Sequence, residues 1–182
     1  TYVKRIYGRK VSIDLHLLAV REALTAWYKE PITRENMNRL TDYLLGVQIW
    51  KRGWPVLPDS EGLFYLCLNL MIHHGGRGIY QLANIARATQ SKQVDWREVV
   101  SLARNFRVES YIYFPLLWSQ RLFKVKVPML NRLRPTPVRL WLAKLVINRW
   151  TIMRSKPSSG WLWRKINLLV IGYLRVVLSA LS

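Results

Sequence analysis

Acidic residues are scarce in this chain. Ten Asp and Glu stand against 29 Lys and Arg, and the formal net charge is +19 over 182 residues. So few carboxylates limit metal chemistry built on hard oxygen ligands. The cation excess favours anionic partners: nucleotides, nucleic acid, an acidic membrane surface or an acidic protein. Cysteine is represented by Cys67 alone, which excludes an intramolecular disulfide. Its place in the apolar run 63–72 predicts a buried structural thiol, and a reducing, cytoplasmic location is expected. No run of about 18 apolar residues is free of charge, so no spanning helix is predicted. Lys4, Arg5, Arg9 and Lys10 break up the opening segment, which does not resemble a signal peptide. A Gly-rich phosphate loop, zinc-ligand spacing, a nucleophile elbow and His-Glu-x-x-His are all missing. What is plentiful is apolar surface, at 51% of residues, too much for a disordered chain.

Two extended runs open the chain, on either side of Gly8-Arg9. Gly at the first of two loop positions suits a type II′ turn, which needs φ > 0 there. That loop pairs Tyr7 with Lys10, Ile6 with Val11 and Val3 with Asp14. Side chains alternate along a strand, so Val11, Ile13 and Leu15 share one face and Ser12, Asp14 and His16 the other. The polar row either meets solvent or presents a carboxylate to a metal or substrate.

Helical signals dominate the remainder. Residues 17–28 read as a helix, and Pro31 breaks the chain after it. Met37, Leu40, Leu44 and Val47 recur at three- and four-residue spacing, which predicts a helix. Residues 53–58 read as a rigid, irregular connector. Asp59 or Ser60 is placed to cap a helix that runs to about His73, apolar nearly all round, as suits the centre of a core. Gly75 or Gly76 is expected to end it in a left-handed conformation. Residues 79–89 form the next helix, with Leu82, Ile85 and Ala86 inward. Asp95-Trp-Arg-Glu98 matches a capping box, and the helix it opens carries Trp96, Val99, Val100, Ala103 and Phe106 on one stripe. A helix over about 110–123 must place Pro115 in its first turn or kink there.

From Met129 the composition changes. Residues 131–137 read as a basic, proline-broken linker. Helices are expected at 138–153 and 161–182, around a flexible stretch at 155–160. The last helix is very apolar and begins with Trp161 and Trp163 beside Arg164 and Lys165. It suits a packed helix whose long basic side chains reach water. The alternative is an amphipathic segment lying on an anionic membrane surface.

Metal chemistry at His73 and His74 is disfavoured, because adjacent helical residues point about 100° apart. One is expected to face the core and the other solvent or substrate. Gly75-Gly-Arg-Gly78 has the composition of an anion nest, with Arg77 facing a phosphate. A plain glycine-rich inter-helix turn explains the same residues and is favoured.

The order of these elements resembles a known family. Val11-Ser-Ile-Asp-Leu-His16, Leu66-Cys-Leu-Asn-Leu-Met-Ile-His73, Gln81-Leu-Ala-Asn-Ile-Ala86 and Val94-Asp-Trp96 through Ala103 are similar to the later part of the bacterial uncharacterised nucleotidyltransferase family, in the polymerase-β-like superfamily. The resemblance covers about residues 2–128. In that superfamily three carboxylates hold two Mg²⁺ ions, two of them from an Asp-x-Asp after a Gly-Ser turn. The resemblance implies that Asp14 is the third, a catalytic metal ligand. It implies His16 as a substrate contact or as the residue that orients Asp14. His74 and Arg77 are further candidate substrate contacts. The Gly-Ser turn and Asp-x-Asp are absent and would precede Thr1. Relatives tend to carry an acid where this chain has Asn84.

The expected fold is therefore mainly α (α+β). Residues 1–18 form the C-terminal hairpin of a nucleotidyltransferase-like sheet, 19–128 a helical domain, and 129–182 a basic linker with apolar helices. The expected function is the C-terminal portion of a nucleotidyltransferase that moves a nucleoside monophosphate from NTP to an unknown acceptor, with Mg²⁺, inactive as this chain alone. The alternatives are a non-enzymatic basic module that binds nucleic acid, and a peripheral protein at the inner membrane surface.

Overall fold

The computed structural model describes residues 2–6, 9–13, 34–72, 74, 76, 78–137 and 140–141. Asp14, His16 and Arg77 lie outside them. So do the helices expected at 17–28 and 161–182 and most of the one at 138–153. The described chain is mainly helical, with a two-stranded antiparallel hairpin before the helices.

Strands β1 (Tyr2–Ile6) and β2 (Arg9–Ile13) form that hairpin. Its register differs from the expected one. Ile6 pairs with Arg9, Arg5 with Lys10 and Val3 with Ser12. Tyr7 and Gly8 therefore separate the paired residues, in place of Gly8-Arg9. The slip spans two residues, so the alternation of faces along β2 is unchanged.

Helix α1 (Arg34–Gly46) buries Leu40 and Leu44. After it the expected irregular connector is in fact a second hairpin, β3 (Ile49–Lys51) and β4 (Trp54–Val56). Arg52 and Gly53 make its turn with φ of 53° and 79°. Both values are positive, as a type I′ connection requires. Pro55 is tolerated because each strand is an edge.

Helix α2 (Asp59–Ile72) is the core element, packed on α3 (Ile79–Ala88), α4 (Trp96–Asn105) and α5 (Glu109–Phe123). Three neighbours explain why it is apolar nearly all round: Leu63, Phe64, Cys67, Leu68 and Leu70 are all buried. On α3 the inward residues are Leu82, Ile85 and Ala86, as the spacing predicts. On α4 they are Val99, Val100, Leu102 and Ala103, with Phe106 just beyond. Cys67 is fully buried and burial pushes its thiol pKa up, so it is a structural thiol.

The helix ends depart from the expected caps. Gly62 N–H donates to Pro58 O at 2.7 Å, so Pro58, which has no side-chain acceptor, stands at the N-cap of α2. Asp59 instead accepts from the Ser91 hydroxyl. Ser60 Oγ accepts from Asp95 N–H at 2.8 Å. Asp95 caps α4 by accepting from Arg97 N–H at 2.8 Å. The capping box is not reciprocal: Ser60 takes the Asp95 N–H that Glu98 was expected to take, and Glu98 turns to Tyr43. The two N-termini are thereby tied together across 35 residues of sequence.

Pro115 sits inside α5, past its first turn and buried. Having no N–H, it donates no helical bond of its own. Beyond α5 the expected linker contains a 3₁₀ turn at Leu130–Leu133 that packs on α5 and α4. Leu130 and Leu133 stand three residues apart, on the same side of such a turn, and both are buried in the same core.

Candidate functional site

The one candidate contact within the described residues is His74, at the turn between α2 and α3. Its side chain is exposed, which agrees with one of the histidine pair facing solvent or substrate. The turn is built by glycine. Gly76 is buried with φ 74°, and its N–H returns to Leu70 O at 2.9 Å. A Cβ at Gly76 would meet the Trp118 ring at 3.4 Å and the Met71 sulfur at 3.5 Å. Gly78 precedes α3 with φ 122°, and the Gln81 amide fills the space that a Cβ there would take.

Gly76→Ala is expected to destabilise the fold by about 1–3 kcal/mol, the usual cost of a left-handed non-glycine residue. Urea unfolding measures it. An unchanged midpoint would mean the turn relaxes freely and does not position His74.

From this turn an exposed stripe runs along α3: Tyr80, Asn84 and Arg87, opposite the buried Leu82, Ile85 and Ala86. Tyr80 is 82% exposed. It stands one turn before Asn84 on the same face of the helix. The stripe offers a phenol, an amide and a guanidinium, groups that hydrogen-bond a polar ligand. It holds no carboxylate.

Carboxylates gather elsewhere, at the joined starts of α2 and α4. Tyr43 OH lies 3.2 Å from Glu61 Oε1 and 3.4 Å from Glu98 Oε1. Burial, then the charges of Glu61 and Glu98, push the Tyr43 hydroxyl from 10.0 up to about 12. The folded state thus favours the neutral phenol. Its contribution is complete below pH 10 and is lost as pH rises towards 12. The melting temperature should fall across that window more steeply for the native protein than for Tyr43→Phe. Parallel curves would show that this phenol does not titrate with the fold. Among the described residues no group of three or more His, Cys, Asp or Glu can hold a metal ion. No described helix is long and apolar enough to cross a membrane.

Basic side chains occupy the other ends of the helices. Arg104 Nη2 donates to Arg132 O at 3.4 Å, and Arg104, Arg107, Arg132 and Arg134 are all exposed. No family model, curated protein or solved structure matches the chain.

Proposed function

We propose that this chain is the C-terminal, acceptor-side portion of a nucleotidyltransferase, which moves a nucleoside monophosphate from NTP to an acceptor. The observation that carries the reading is the place of Asp14 in the sequence, one residue past β2. Strand β2 ends at Ile13, in an antiparallel hairpin that precedes a helical unit, and Asp14-Leu-His16 follows at once. A carboxylate at a strand end is suited to a rigid metal site. A Mg²⁺ pair bound there would stabilise the charge that develops on the oxygens of phosphoryl transfer. Such ions need several hard oxygen ligands, of which Asp14 would supply one. His16 orients Asp14 or contacts substrate. His74 and Arg77, at the α2–α3 turn, are candidate substrate contacts, and the resemblance to the nucleotidyltransferase family supports the whole assignment.

One carboxylate is too few for a metal pair. The 182-residue chain, incubated with Mg²⁺ and an NTP labelled at its α-phosphate, is therefore expected to transfer no label. Transfer by this chain alone, abolished in Asp14→Ala, would overturn the assignment of a partial site.

A further inference from the structure

We infer that the β3–β4 hairpin docks the protein on an anionic lipid bilayer surface. Its apolar side chains are unusually bare: Trp50 is 77% exposed, Trp54 73% and Ile49 50%, and Leu45, four residues before Ile49 in the sequence, is 57% exposed. An isolated two-stranded ribbon is marginally stable in water. Large apolar side chains left exposed on both faces of one short ribbon point to an interaction site.

The chemistry of the hairpin selects the partner. Lys51 and Arg52 are at the tip, both exposed, and no Asp or Glu lies between Asp42 and Asp59. The local charge is wholly positive, on a chain of net charge +19. The surface that complements it is anionic. Trp50 stands opposite Pro55 and Lys51 opposite Trp54. The two indoles therefore occupy neighbouring rungs, about 3.3 Å apart along the ribbon, on opposite faces. Bases of a single strand stack on a platform presented on one side, which this arrangement does not offer. A ribbon that enters the headgroup layer meets lipid on both faces. Trp settles at that depth, and Lys and Arg side chains reach the lipid phosphates while their stems stay among apolar groups. Exposed Leu45 and Ile49 add aliphatic surface, which lipid accepts and a base does not need.

The hairpin takes no part in the Asp14 assignment, and each reading can fail alone. The test is co-sedimentation of the full chain with vesicles of phosphatidylcholine mixed with phosphatidylglycerol, beside vesicles of phosphatidylcholine alone. The protein should pellet with the anionic vesicles only. Trp50→Ala/Trp54→Ala should weaken binding about tenfold or more, since affinity follows the apolar area inserted. Lys51→Glu/Arg52→Glu should remove the preference for anionic lipid. Arg104→Glu/Arg132→Glu should keep it. Several results would overturn the proposal. One is anionic vesicles that leave the native protein in solution, or that pellet the Trp variant equally. Another is a lowered melting temperature in the Trp variant, which would mean the indoles pack on the protein's own chain. The last is a Trp variant that loses single-stranded oligonucleotide binding while keeping vesicle binding.

Discussion

Phe64→Ala is expected to lower the unfolding free energy by about 3–5 kcal/mol, the range for deleting a buried aromatic ring. Phe64 is fully buried on α2, the helix that touches α3, α4 and α5. Its ring lies 6.4 Å from that of Phe106, which in turn lies 6.0 Å from Tyr43 on α1. One truncation therefore opens a cavity where α1, α2 and the end of α4 meet. Domains of this size are stable by roughly 5–15 kcal/mol, so the loss is a large fraction of the total. Urea unfolding should show a lower midpoint with the slope unchanged, because the surface exposed on unfolding stays the same. A loss below about 1 kcal/mol, in the range of surface substitutions, would contradict the central place given to α2.

On the proposed assignment, Asp14→Ala is expected to lower nucleotidyl transfer by a polypeptide that also carries the Asp-x-Asp about 10³-fold or more, equivalent to roughly 4 kcal/mol of transition-state stabilisation. The argument is electrostatic. Asp14 would help hold the metal ions, whose charge would stabilise the oxygens of the transferring phosphoryl group. Without that carboxylate the ions would be held less firmly. Transfer within tenfold of the native rate would remove Asp14 from the metal site. Loss of transfer with unaltered Mg²⁺ binding would remove it as well.

Much of the fold was legible because long apolar periodicity has few solutions. The stripe Val99, Val100, Ala103 and Phe106 is buried on α4 as its spacing requires, and the continuous run 63–72 could only be a helix enclosed on several sides. The hairpin of β3 and β4 was not legible. Its three-residue strands are too short for an alternation to emerge, and Trp50 and Trp54 are exposed where tryptophan normally signals core. The informative signal was Arg52-Gly53, a two-residue turn with glycine second. In the first hairpin the pairing of Ile6 with Arg9 likewise leaves two residues between the strands, with glycine second in the sequence. The stop of α4 was also hidden: it falls on Arg107, with φ 55°, where glycine is the usual residue. Caps were read locally, yet Ser60 and Glu98 bond partners 35 and 55 residues away. No local pattern carries that information. Of the site, the turn that exposes His74 was legible from Gly75-Gly-Arg-Gly78. Tyr80 was not, because an aromatic at a helix start reads as a core residue until its neighbours are placed.

The central claim is that Asp14 is one ligand of a metal pair. It is tested most directly by the intact mass of the native polypeptide in its source cell, with the residues upstream of Thr1 read out. The expected result is a longer polypeptide with a Gly-Ser turn and Asp-x-Asp ahead of β1. A native polypeptide without those carboxylates would contradict it, leaving Asp14 with no partners for a second ion.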